Sequence, residues 1–283
     1  MTVTSMQEIE TGSFVKPTFV LCPPNSLRVV NWNINRGLQI ERIIEFLGRA
    51  KADVILLQES DLNARRTHHL NIAREISQKL ELNYVFAREF QELTQGSRTA
   101  PAYHGQATLS RWPLTGARII RFRRQSNFWR PHWFLPEISP FQERLGGRLA
   151  LVVEANIAGT AIATYNLHLE SKGDDDLRCA QLRETLDDAR RYDMNLPIVL
   201  AGDFNLDLSE GVGAAALSQA QFQDTFDNHH MPTTPDSLFE KGRMIDWIFT
   251  RGPVCSSEPK VYRSVSASDH YPLSIAMKFA KHA

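Results

Sequence analysis

Cysteine is scarce in this chain. Cys22, Cys179 and Cys255 are far apart, odd in number and without metal-type spacing, which argues against a disulfide framework and a Cys-based zinc site and leaves three reduced thiols. No stretch of about 18 apolar residues occurs, so no helical membrane span is expected. The opening MTVTSMQEIETGSFVKPTF lacks the basic segment and apolar run of a secretory leader, and a cytoplasmic location is the expectation. Net charge is also missing: Lys+Arg and Asp+Glu are both 32. Without a global field, any electrostatic role must be local. There is no internal repeat, no low-complexity tract and no mid-chain linker, so the expectation is one large domain over 26–283 behind a loose arm at 1–25, which is polar and aperiodic up to CPPN.

What is present reads as alternating strands and helices. SLRVVNWNINRG is strand-like, and QIERIIEFLGRA places Ile40, Ile43, Ile44 and Leu47 on one helical stripe. DVILLQES follows as a buried strand, and strand, helix, strand is the α/β signature. Asn71 to Glu81 reads as a helix, YVFARE and GQATLSRW as strands, and LALVVEANIAGTAIATYNLHLES as a hairpin turning at Ala158-Gly159. Asp175 to Tyr192 carries Leu182, Leu186 and Ala189 on one stripe, and IVLAGDFN, RMIDWIFTRG and a strand after Tyr271 complete the set.

Polar groups stand where these strands end. In TYNLHLE, alternation places Asn166, His168 and Glu170 opposite Tyr165, Leu167 and Leu169, so His168 is expected to point away from the core. VVNWN ends at Asn33, DVILLQE at Glu59 and IVLAGD at Asp203, with Asn205 two residues on. Ligand sites of open α/β sheets lie at the carboxyl ends of strands. Asp246 sits between apolar neighbours in MIDWIF, where an unpaired carboxylate would cost several kcal/mol, so it requires a partner, and a histidine fits best. SASDHYPL adds Asp269 beside His270. The set is rich in oxygen donors and holds no thiolate, which suits Mg²⁺ or Mn²⁺ gripping a substrate phosphate. His68-His69 and His229-His230 lack zinc spacing and read as surface pairs.

In order, NWNINRG, LLQES, GQATLSRWPL, YNLHLES, LAGDFN, RMIDWIFTRG and SDHYPL resemble the motifs of the endonuclease/exonuclease/phosphatase superfamily, which includes deoxyribonucleases, abasic-site endonucleases, inositol polyphosphate phosphatases and sphingomyelinases. The resemblance runs from about Leu27 to Met277. It implies a four-layer α/β sandwich of two mixed β-sheets flanked by helices, and Mg²⁺-dependent phosphoester hydrolysis, with Mn²⁺ able to substitute. Carried over by residue, it implies metal ligation by Glu59, Asn33 and Asp269, and Asp203 acting on the attacking water. Asn205 and His168 would hold phosphate oxygens, with His270, oriented by Asp246, on the transition state. Arg148 in GGRLALVV resembles a phosphate-binding arginine of the deoxyribonuclease branch, and Asn166 falls to a supporting position.

HLESKGDDDLRCAQL is similar to tyrosyl-DNA phosphodiesterases, whereas abasic-site endonucleases usually carry tyrosine where Arg148 stands here. The expected substrate is therefore DNA. Alternatives are a phospholipid-headgroup or inositol-phosphate hydrolase and, from another class, a non-catalytic phosphate-binding module. A segment near 118–148, rich in arginine with Phe122, Phe128, Trp129, Trp133, Phe134 and Phe141 interleaved, reads as an insertion. It is open to three readings: a loop packing its own aromatics, a nucleic-acid grip, or Trp129 and Trp133 dipping into a lipid interface.

Overall fold

The computed structural model describes residues 8–16, 26–129, 134, 136, 138, 141, 143–227, 229–237 and 240–280. Strands β2 (Leu27–Arg36), β3 (Val54–Leu62), β4 (Asn83–Glu92) and β5 (Ala102–Ser110) form one sheet with β1 (Ile9–Ser13), β7 (Arg144–Gly146), β13 (Val254–Val261) and β14 (Leu273–Phe279). Its order is β1-β4-β5-β3-β2-β14-β13, with β7 also on β4. The second sheet runs β11-β12-β10-β9-β8-β6, from β6 (Leu114–Arg121), β8 (Leu149–Ile157), β9 (Thr160–His168), β10 (Ile198–Asp203), β11 (Gln223–Asp224) and β12 (Asp246–Arg251). Each sheet is mixed: β2 pairs parallel with β3, and β9 with β10, while the remaining pairings are antiparallel. With helices outside both sheets, this is the α/β sandwich expected.

Helix α1 (Ile40–Ala50) buries Ile43, Phe46 and Leu47 against Val30, Trp32 and Ile34 of β2. Helix α2 (Ile72–Leu80), capped by the Asn71 side chain accepting from the Arg74 amide, adds Ile72 and Ile76 to the same layer. On the far side α3 (Asp175–Ala189), capped by Asp174, buries Leu182 and Leu186 with Tyr165 and Leu167, and α4 (Gly211–Gln219) adds Leu217. The β8–β9 hairpin turns at Ala158 (φ 48) and Gly159 (φ 96), both left-handed as a two-residue turn of this hand requires. No helix among the described residues is long and apolar enough to cross a membrane.

Between the sheets lies a graded layer. Leu27, Val29, Val54 and Leu56 are apolar. Further along the same strand faces come Asn31, Gln58 and Asn166, all buried, where Gln58 Nε2 donates to Asn31 Oδ1 at 2.8 Å and Asn166 Oδ1 at 2.7 Å. Asn166 in turn donates to the Leu57 and Ala107 carbonyls of the opposite sheet. These amide bridges tie the sheets together just below the rim and satisfy groups that would otherwise be costly to bury. Gly202, next to Asp203, permits the close approach of β9, since a Cβ there would lie 2.0 Å from the Leu167 carbonyl oxygen.

Three expectations change here. Ile9–Ser13, assigned to a loose arm, pairs antiparallel with β4 as an edge strand; its short alternation is too weak to read without its partner. His168 points into the inter-sheet layer, because both faces of β9 are covered and alternation alone cannot distinguish two buried faces. The 118–148 segment is less of an insertion than expected, since Arg118 and Arg121 lie in β6 and Arg144 in β7. Several of its arginines are paired with acids, Arg118 with Asp188, Arg121 with Glu8, Arg123 with Glu184, Arg124 with Asp176 and Arg144 with Glu92, though Arg123 and Arg124 stay exposed. Trp129 is buried, while Trp133 lies outside the described residues.

Candidate active site

Topology gathers the strand-end residues. Parallel β9 and β10 end side by side, and their register pairs Asp203 with His168, while antiparallel β12 begins opposite and pairs Asp246 with Asp203. In the facing sheet, β2 and β3 bring Asn33 and Glu59 to the same edge. Asn33 Nδ2 crosses between the sheets to donate to Asp203 Oδ2 at 3.0 Å.

Asp203 is the hub. Its Oδ1 accepts from the Asn205 amide at 2.9 Å, and its Oδ2 lies 3.6 Å from His168 Nε2 and 3.8 Å from His270 Nε2. His270 Nδ1 is 2.8 Å from Asp246 Oδ2, which also accepts from Thr233 Oγ1 at 2.6 Å. Asp246 thus has the histidine partner its burial demanded. Burial would push the His270 imidazole down, but Asp246 and Asp203 outweigh it and raise it to about 10. The Trp32 indole N–H fixes the His270 carbonyl at 2.9 Å.

Glu59, His104 and His168 form the neighbouring group, their ligand atoms within 4.8 Å of one another. Glu59 sits in a left-handed conformation (φ 54) where the β3–β5 register shifts between Leu57 and Ser60. Its burial would raise the carboxyl, but the surrounding fields, that of His104 foremost with those of Arg36 and Arg148, overcome this and hold it well below the usual carboxylate range. Asn205 is left-handed as well (φ 50), so two of the site residues adopt a backbone that non-glycine residues rarely take.

The other assigned residues fall as follows. Asn205 gives one amide hydrogen to the Leu169 carbonyl at 3.2 Å and keeps the second free of that bond. Asp269 is exposed and outside both acid–histidine groups, but the Ser268 hydroxyl ties it to the Asn33 carbonyl. Arg148 departs from the phosphate-binding reading. It is 4 % exposed, and its guanidinium is engaged with Glu89 at 3.2 Å, His168 Nδ1 at 2.8 Å and Ser171 at 3.4 Å. The Trp129 ring packs over it, and the indole N–H is held by Glu170 at 2.6 Å.

The fold and these distances stand beside known proteins as follows. The model of the Endonuclease/Exonuclease/phosphatase family matches residues 30–270. The chain belongs to that family. A comparison with curated protein sequences gives no significant match. Among solved structures, the human Nocturnin catalytic domain with bound sulfate superimposes with TM-score 0.67 at 17% identity, covering 96% of this chain and 98% of that one. D. rerio TDP2 complexed with a single-strand DNA product gives 0.61 at 17%, covering 90% and 100%. Bacteroides thetaiotaomicron mannosyl-6-phosphatase gives 0.62 at 17%, covering 90% and 100%. At such identity the superpositions establish the fold.

Sequence reading missed two pairs that this chain buries behind its rim. His104 Nδ1 meets Asp61 Oδ1 at 3.0 Å, with Arg66 on the same carboxylate at 2.7 Å. The available signal was the polar alternation of His104, Gln106 and Thr108 within an otherwise apolar strand. Glu89 is fully buried beside Arg148 and His168, placed there by the β4–β5 register shift between Arg88 and Phe90, which no alternation shows. Burial pushes its carboxyl up, yet the Arg148 guanidinium, the foremost of the cationic groups around it, brings it down to about 2. The folded value lies below the unfolded one, so this stabilisation is present above about pH 4.5 and fades as pH falls toward 2. Glu89→Gln should therefore flatten the acid limb of stability, measured by urea unfolding at pH 3, 4 and 7; an unchanged limb would remove Glu89 from the acid response.

Proposed function

We propose that this protein is a Mg²⁺-dependent phosphodiesterase acting on DNA. Members of its family hydrolyse phosphoester bonds and typically depend on a divalent metal. The observation that carries the reading is Asp203, with two histidines within 4 Å of one carboxylate oxygen and Glu59 close to one of them. The donor set fits a hard cation, since it offers carboxylate and amide oxygens and no thiolate, with Glu59 kept ionised by its surroundings. Glu59, Asn33 and Asp269 would hold that ion. When bound, it supplies Lewis-acid neutralisation of phosphate charge.

The chain's own groups supply the rest. Asp203, held by Asn33 and the Asn205 amide, accepts a proton from a water whose oxygen attacks phosphorus. The ester P–O bond breaks on the opposite side, and His270, as an imidazolium paired with Asp246, hands its proton to the leaving oxygen. His168 and Asn205 donate N–H groups to the phosphate oxygens. Proton acceptor and donor then stand at one end of the sandwich, within reach of one phosphate group.

DNA as substrate is supported by the likeness of HLESKGDDDLRCAQL to tyrosyl-DNA phosphodiesterases and by the TDP2 structure with its single-strand DNA product. One observation favours a second reading, a phosphoester on an apolar group such as a phospholipid. Phe128, Phe134, Ile138 and Phe141 are exposed large apolar residues of one segment, and most of the arginines around them are paired with acids. Hydrolysis assays with Mg²⁺, with and without EDTA, on single- and double-stranded DNA, 5′-tyrosyl oligonucleotide, phospholipid vesicles, inositol phosphates and mannose 6-phosphate separate these. EDTA-sensitive cleavage of a DNA substrate is expected. Cleavage confined to phospholipid or sugar phosphate would overturn the DNA reading, and none at all would favour a binding module.

A further inference from the structure

Arg148 and His168 meet in an arrangement with one consistent assignment of hydrogens. Arg148 Nη1 lies 2.8 Å from His168 Nδ1, both side chains being buried. A guanidinium donates and never accepts. His168 Nδ1 must therefore present its lone pair, and the ring proton must sit on Nε2. The other end of the ring agrees, because Nε2 faces the Asp203 carboxylate oxygen at 3.6 Å.

Glu89 shows why the arginine is needed. Its Oε2 is 3.6 Å from His168 Nδ1, near enough to draw a proton onto that nitrogen. Arg148 occupies the space between, bonding Glu89 Oε2 at 3.2 Å and Oε1 at 3.4 Å, while Gln106 Nε2 donates to Oε1 at 3.2 Å. Trp129 covers the guanidinium, with its ring centre 5.0 Å from Cζ. His104 and Glu59 are further titratable groups near the ring.

We propose that Arg148 is a positioning residue that locks His168 in the Nε2–H tautomer, so that His168 serves the phosphate as a fixed hydrogen-bond donor. The donor role rests on the phosphoesterase reading above; the lock does not. His270 is held the opposite way. Its Nδ1 faces the acceptor Asp246, which places a proton on Nδ1 and presents Nε2 to the site. One histidine is thus built to donate a constant hydrogen bond and the other to exchange a proton. With Nε2 protonated and Nδ1 taken by Arg148, a locked His168 would have no lone pair to offer a metal beside Glu59 and His104.

The test is a long-range ¹H–¹⁵N spectrum of protein labelled at histidine nitrogen, recorded with Mg²⁺ present. The expected wild-type pattern for His168 is a pyridine-type Nδ1 and a pyrrole-type Nε2. Arg148→Lys, which keeps a donor, should retain it, and Arg148→Met should place a proton on Nδ1 facing Glu89. If Arg148→Met does not fold, the wild-type spectrum decides alone: a proton on Nδ1 overturns the lock. On the substrate that the wild type cleaves, His168→Ala should lower kcat/KM by about 10². His168→Gln, which keeps a distal N–H, should recover about tenfold of that loss. A Gln variant as slow as the Ala variant would overturn the donor role. The expected spectrum without any hydrolysis would leave the lock in place and sink the phosphoesterase reading instead.

Discussion

Asp203→Ala should lower kcat by about 10² to 10⁴ while leaving the fold intact. The size follows from its place in the structure. Its carboxylate is the shared acceptor of Asn33 Nδ2 and the Asn205 amide, and both histidines face its Oδ2. No other carboxylate among the described residues meets that combination of partners. Asp246, the nearest candidate, has one oxygen engaged by both His270 and Thr233. Asp203→Asn keeps the shape and the Asn205 amide bond but loses the proton acceptor, so it should be nearly as slow as the alanine variant. The measurement is kcat on the preferred phosphoester, with circular dichroism to confirm folding. Near-normal turnover in a folded variant would remove Asp203 from the reaction.

His270→Ala should cost a comparable factor, about 10² to 10⁴ in kcat. The decisive contrast is Asp246→Asn. If Asp246 keeps a proton on His270 Nδ1 and stabilises the cation, its amide replacement should cost much of what loss of the imidazole costs, with KM little changed. It should also lower the His270 pKa from its raised position near 10, which histidine NMR titration reads directly. The two substitutions should be far from additive, since each disables one unit. Additive losses would show that Asp246 acts separately from His270.

The sequence made the local geometry legible. Hydrophobic stripes in QIERIIEFLGRA, the Ala158-Gly159 turn and the strand-end acids follow from periodicity and turn chemistry, which act over a few residues. The demand that Asp246 find a partner followed from desolvation cost alone, and His270 meets it. What the pattern could not show were contacts made across the chain. Arg118 finds Asp188 seventy residues on, so a segment that looks basic and available in sequence is largely neutralised in space. A register shift hid another. Glu89 faces the site because a bulge in β4 breaks the alternation that period-two reasoning relies on. Arg148 has the residue type of a phosphate binder, but only the buried Glu89 beside it reveals that its guanidinium is engaged within the protein.

The central claim is that residues from both sheets serve one cation and one phosphate. Crystals soaked with Mn²⁺ and a short oligonucleotide, measured at the manganese absorption edge, test it most directly. A single anomalous peak against the Glu59 carboxylate, with a phosphate beside His168 and His270, is the expected result. A peak remote from Glu59, or a phosphate bound away from both histidines, would contradict it.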